Sequence, residues 1–145
     1  MTDYVIDASI AVKWVTGEEG SDAALHLLES ARLLAPDLLI SECANVLWKK
    51  VRRGEFSLDE AILAARILQR ADVEISPTRH LLDAATRIAV ELDHAAYDCV
   101  YLALALDRNC RFVSADRRFV DKVRDAEPTS YGGIVLLLEE AAGPA

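Results

Sequence analysis

Four acidic side chains stand where a chain of alternating strands and helices would gather them. Asp7 ends the apolar run Tyr4-Val5-Ile6, and Asp116 follows the run Arg111-Phe112-Val113-Ser114. Asp98 falls in the first turn of a predicted helix. Glu42 lies near the start of another, inside Leu38-Leu39-Ile40-Ser41-Glu42-Cys43-Ala44. Clustered carboxylates repel, and their pKa values rise unless a cation neutralises them. Oxygen ligands without His or Cys select Mg²⁺ or Mn²⁺ over zinc. Such a cluster suits phosphodiester cleavage: one cation activates a water, and a second, if present about 3.5–4 Å away, steadies the leaving oxygen. Each acid also has a structural reading. Asp7 and Asp116 are placed to cap the helices that follow them, and Asp98 to favour a helix dipole. Glu42 resists that reading, because Ile40, Cys43 and Ala44 around it are apolar and charged groups are rarely buried unpaired.

The elements that must position these acids follow from periodicity and punctuation. Tyr4-Val5-Ile6 reads as a strand buried on both faces of a parallel sheet. Ala8 and Ser9 turn it into a short helix over residues 10–15. Gly17-Glu18-Glu19-Gly20 breaks the chain, and Ser21 is expected to cap a helix to about residue 32. Leu33-Leu34-Ala35 is a short strand ended by Pro36-Asp37. A helix over 38–53 follows from the 3.6-residue spacing of Leu39, Cys43, Val46, Leu47 and Val51, with Gly54 as its C-cap. Ser57-Leu58-Asp59-Glu60 is a capping box opening a helix to about residue 70. Val73-Glu74-Ile75 is a strand, followed by helices over 78–92 and 97–107. The strand 111–114 precedes a short helix over 117–124. After Gly132-Gly133 come a last strand, 134–137, and a short acidic tail. This alternation predicts one α/β domain over residues 1–145: a three-layer α/β/α sandwich with a central, mostly parallel sheet. In such sheets, sites form outside the carboxyl ends of the strands.

Composition narrows the function. With 145 residues, 52% of them hydrophobic, there is material for one core. No apolar run approaches the roughly 18 residues of a membrane span, and no signal peptide is expected. Three cysteines without a Cys-x-x-Cys pair argue against a disulfide framework or a zinc ribbon, and a reducing cytoplasm fits. Asp plus Glu number 24 against 16 Lys plus Arg, a net charge of -8. A protein that grips nucleic acid by bulk electrostatics should be basic. Phosphate binding would therefore need local basic clusters or bound cations.

The ordered motifs resemble those of PIN-domain proteins, and most closely VapC-type toxins. The resemblance rests on Tyr4-Val5-Ile6-Asp7-Ala8-Ser9, on Pro36-Asp37-Leu38-Leu39-Ile40-Ser41-Glu42-Cys43-Ala44-Asn45-Val46-Leu47, on Tyr97-Asp98-Cys99-Val100-Tyr101-Leu102-Ala103-Leu104-Ala105, and on Phe112-Val113-Ser114-Ala115-Asp116-Arg117-Arg118-Phe119. Each motif alone is weak; the ordered set covers nearly the whole chain. The resemblance implies an acidic metal-binding quartet of Asp7, Glu42, Asp98 and Asp116, with Ser9 and Ser114 as polar helpers. It also implies Mg²⁺- or Mn²⁺-dependent endoribonuclease activity, homodimerisation, and inhibition by a small antitoxin.

Other residues are weighed against plainer roles. Lys49, Lys50, Arg52 and Arg53 form the densest basic cluster, either a solvated helix end or an RNA contact. Arg117 and Arg118 follow Asp116 directly, where a phosphate would lie if a metal does. Of the three histidines only His94, four residues before Asp98, is near the acids, and a plain surface role outweighs assistance. Asp121 is a spare acid best read as solvated. Cys43 and Cys99 read as small core residues. Trp14, Trp48, Tyr97 and Tyr101 are candidates for core, interface or base stacking. An aspartyl-phosphate phosphatase would need a second Asp where Ser9 stands, and no Gly-rich phosphate loop is present. The competing reading is a non-catalytic α/β module that binds RNA or a partner and uses the acids structurally.

Overall fold

The computed structural model describes residues 1–126 and 131–142. Five strands form one sheet: β1 (Asp3–Ile6), β2 (Arg32–Pro36), β3 (Val73–Ser76), β4 (Arg111–Ser114) and β5 (Val135–Leu137). Their order is β3-β2-β1-β4-β5, and every neighbouring pair is parallel. Successive side chains of a strand point to opposite faces. Val5 and Ile6, Leu33 and Leu34, and Phe112 and Val113 are all buried, so both faces of the sheet are covered. This is the three-layer sandwich expected from the alternation, with a sheet that is parallel at each pairing. Sheet growth reverses at β1: β2 and β3 extend one side, β4 and β5 the other. That reversal is the switch point at which open α/β sheets hold ligands.

The helices are α1 (Ala8–Ala11), α2 (Ser21–Ser30), α3 (Leu38–Arg52), α4 (Leu58–Gln69), α5 (Leu82–Leu92), α6 (Ala96–Asp107), α7 (Arg117–Ala126) and α8 (Leu138–Ala142). Helix α6 is the most deeply set. Cys99 and the run from Tyr101 to Ala105 are buried, and it packs on β1, β2 and β4. A helix apolar nearly all round belongs inside, and this one carries Asp98 to the end of the sheet. The capping box forms as its sequence dictates: Glu60 N–H donates to Ser57 Oγ at 3.1 Å, and Ser57 N–H to Glu60 Oε1 at 2.9 Å. Gly54 follows α3 with φ of 75°, a conformation that favours glycine.

Three expectations are corrected. Ser21 does not cap α2; Gly20, at φ 87°, holds that position. The Ser21 hydroxyl instead closes the preceding loop, donating to Thr16 O at 2.7 Å and accepting from Glu18 N–H at 3.2 Å. The segment after Pro77 opens as a 3₁₀ turn over Arg79–Leu81 before α5 begins. The acidic tail folds into α8, because Leu138 is buried and Glu140 accepts from Leu137 N–H at 2.9 Å and from Arg124 at 2.9 Å. Among the described residues, no helix is long and apolar enough to cross a membrane.

Candidate active site

Strand register builds the site. Ile6 pairs with Val113, so the next residues on β1 and β4, Asp7 and Ser114, meet just beyond the paired segment. Asp7 is 8% exposed and Ser114 fully buried. Ser114 Oγ donates to Asp7 Oδ2 at 2.6 Å, and Ser9 Oγ donates to Asp7 Oδ1. Ala115 N–H donates to Ser9 Oγ at 2.9 Å, and Asp116 N–H to Ser114 Oγ at 3.0 Å. Both serines therefore receive a backbone hydrogen and pass their own to Asp7. Asp7 stands at the N-terminus of α1 but makes no side-chain cap there.

The other acids arrive from two helices and from the turn before a third. Glu42, on α3, accepts from Tyr101 OH at 3.1 Å. Asp98, on α6, lies 2.7 Å through its Oδ2 from His94 Nε2. Asp116 accepts from Phe119 N–H at 3.2 Å and so caps α7, while its backbone ties it to Asp7 through Ser114. The capping role that two strand-end acids shared on paper is thus taken by Asp116 and not by Asp7.

The electrostatics single out Asp7 and Glu42. Burial pushes Asp7 up from 3.8 to about 6; the Asp98 charge adds to this, and the Ser114 and Ser9 bonds oppose it. Burial pushes Glu42 up from 4.5 to about 7, helped by the Asp7 and Asp98 charges and opposed by the Tyr101 bond. Asp7, Glu42 and Asp98 therefore feel one another. Among the described residues, no Lys or Arg pairs with Asp7 or Glu42. As the side chains stand, no three His, Cys, Asp or Glu groups among the described residues close tightly enough to hold a metal ion. The donor chemistry fits a hard divalent cation: the groups are carboxylates, mutually repelling, and set at a switch point.

Residues 4–124 match the PIN domain family. The chain belongs to that family. A relative from Pyrobaculum aerophilum, ribonuclease VapC3, is 31% identical over 121 residues, covering 81% of this chain and 92% of that protein. Two solved structures share the PIN fold at lower identity. One is PAE2754 from Pyrobaculum aerophilum, with a TM-score of 0.72, 22% identity, and 97% and 93% of the two chains covered. The other is VapBC2 from Rickettsia felis, bound to a DNA fragment of its promoter, with a TM-score of 0.64, 12% identity, and 94% and 98% covered.

Around this PIN-domain site, the remaining candidates separate. Arg117 is exposed and pairs with Glu139; an exposed pair of this kind is held weakly. Asp121 is exposed. Burial, with the Glu42 and Asp7 charges, pushes the Cys43 thiol up to about 12, so it stays protonated in the core. Trp14 donates to Ala24 O at 2.9 Å and packs against the core. In the basic cluster, Lys50 meets Glu55 at 3.6 Å and Arg52 lies 5.4 Å from the Trp48 ring centre. His94, expected to play a plain surface role, instead touches Asp98. Its spacing of four residues was the signal. Tyr101 carried no comparable signal toward Glu42, because its partner lies 59 residues away.

Proposed function

We propose that this protein is a divalent-metal-dependent endoribonuclease, the toxin of a VapC-type pair, using Mg²⁺ or Mn²⁺. The observation that carries the reading is that Asp7 and Glu42 feel each other's charge and that of Asp98 near the switch point while, among the described residues, no Lys or Arg pairs with Asp7 or Glu42, in a PIN-domain chain whose relative is a ribonuclease. Asp7, Glu42, Asp98 and Asp116 hold the cation. Bound there, it supplies the Lewis acidity that activates a water and offsets phosphate charge, which lets a chain of net charge -8 accept an RNA backbone. Ser9 and Ser114 fix the Asp7 carboxylate through both oxygens. Tyr101 orients Glu42. Arg117 meets the phosphate beside Asp116.

Partners follow from the same reading. A small antitoxin restrains the enzyme, and the apolar groove of about 420 Å³ lined by Trp14, Leu39, Cys43, Ile62 and Leu68 suits an apolar segment of it. Leu82, Val90 and Tyr97, all strongly exposed, support a homodimer. Cleavage of RNA by the full chain with Mg²⁺ or Mn²⁺, set against a chelator and against Asp7→Asn and Asp98→Asn, tests the activity. Metal-dependent cleavage lost in both variants is expected. Equal cleavage by all three proteins would overturn it, and RNA binding without cleavage would favour the non-catalytic module.

A further inference from the structure

Two elements converge on Asp98: helix α7 and the turn that follows α5. Lys122, on α7, places Nζ 3.2 Å from His94 Nδ1 and 2.8 Å from Asp93 O. His94 follows the end of α5, and its Nε2 is 2.7 Å from Asp98 Oδ2. The Phe119 ring lies 4.9 Å from the His94 ring, tilted by 53°. An ammonium group has donors only. His94 Nδ1 must therefore accept from Lys122, and a neutral imidazole that accepts at Nδ1 carries its hydrogen on Nε2. That hydrogen is the one that faces Asp98.

We propose that Lys122 and His94 are positioning residues for Asp98: Lys122 selects the Nε2–H tautomer of His94, and that N–H holds Asp98 Oδ2, leaving Oδ1 to meet the cation. Asp98 is more exposed than Asp7, with 37% of its side chain in solvent, so its carboxylate needs an external hold that Asp7 obtains from two serines. Asp93 O keeps the lysine in place, and Phe119 keeps the ring from turning. Hydrogen bonds to ligating groups are part of how metal sites are set, and removing one costs about 10–100-fold in metal affinity or activity. The proposal rests on the metal-dependent ribonuclease reading above. The plainer alternative is that Lys122 only closes the end of α5 through Asp93 O.

The test uses the full chain and three readouts. Long-range ¹H–¹⁵N spectra of the metal-free protein at mildly alkaline pH show which nitrogen of His94 carries hydrogen. Calorimetric titration gives Mn²⁺ affinity, and RNA cleavage is followed separately. Expected are the Nε2–H tautomer in the wild type and a mixture of tautomers in Lys122→Met. Mn²⁺ affinity should fall about 10-fold in His94→Leu, with partial recovery in His94→Gln, whose amide can still donate to Asp98. An Nδ1–H tautomer in the wild type overturns the proposal. So does Lys122→Met with unchanged tautomer and Mn²⁺ affinity but a lowered melting temperature, the result the capping alternative requires. Should His94→Leu fail to fold, the Lys122→Met spectra and titration decide alone. Weaker Mn²⁺ binding in the variants, with no RNA cleavage by any protein, removes the ribonuclease reading and keeps the positioning pair. Metal-dependent cleavage with His94→Leu binding Mn²⁺ as the wild type does removes the pair and keeps the reading.

Discussion

At the β2–β3 edge, Glu74 sits between Arg108, 2.7 Å away, and Arg32, at 3.4 Å. The hydrogen bond from Arg108 is the main reason its carboxyl is held below the usual range. At the carboxyl end of β1, Asp7 has two serine hydroxyls and, among the described residues, no cationic partner, and burial pushes its carboxyl up to about 6. Both acids stand on or just past strands of the same sheet. The edge acid lies in solvent and is neutralised by the chain itself. The strand-end acid is buried beside further acids, and among the described residues no cation pairs with it. Stability alone would favour the first arrangement everywhere. The second makes sense where something outside the chain supplies the positive charge, and strained, destabilising sites of this kind are characteristic of function.

The largest difference between the two regions should appear in activity. Asp7→Asn or Asp98→Asn is expected to lower metal-dependent RNA cleavage on the order of a hundredfold or more, the scale of losing one electrostatic contact at a reacting centre. Glu74→Gln should leave cleavage within about twofold, since exposed ion pairs contribute little. A gel-based assay on all three variants checks this, and a loss in Glu74→Gln as large as in Asp7→Asn would erase the contrast.

Next in size is metal-linked stability. Mn²⁺ at about one hundred times its dissociation constant should stabilise the wild type by about 2.7 kcal/mol, read as a shift in the urea midpoint. Glu74→Gln should gain the same amount and Asp7→Asn much less. The pH dependence of the metal-free protein sharpens the point. Asp7 binds its proton more tightly folded than unfolded, since its value rises from 3.8 to about 6. The native state then holds more protons between those values, and stability falls as pH rises through that window, by at most about 3 kcal/mol. Glu42, raised to about 7, carries the same fall toward neutrality. Glu74, held low by its arginines, works the other way, losing its contribution only as pH falls through the acid range. The smallest effect is Glu74→Gln on stability at neutral pH, a loss within about 1 kcal/mol.

Much of the frame was legible in the sequence, because its signals are local. The runs Val5–Ile6 and Phe112–Ser114 alternate nothing and are buried on both faces. Ser57 and Glu60 make their reciprocal cap three residues apart. What no local pattern contained was the choice among acids. Asp7 and Asp116 each end a strand and precede a helix, yet only Asp116 caps. The difference lies in Ser9 and Ser114, which claim both oxygens of Asp7, and Ser114 reaches it only through the pairing of β1 with β4. The Glu42–Tyr101 bond likewise joins α3 to α6 across the fold. His94 stood within reach of a sequence reading, four residues from Asp98; what tips it from surface histidine to Asp98 partner is its 2.7 Å contact with Asp98, while Lys122 reaches its other ring nitrogen from α7.

The central claim is that Asp7 carries a charge the folded chain does not itself neutralise. Thermal melting of wild type and Asp7→Asn at neutral pH, each with a chelator and with Mn²⁺, tests it most directly. The account predicts a crossover: Asp7→Asn melts higher than the wild type when metal is removed, and Mn²⁺ raises the wild type but leaves Asp7→Asn nearly unmoved. An Asp7→Asn protein that melts lower in chelator and gains as much from Mn²⁺ as the wild type would contradict it.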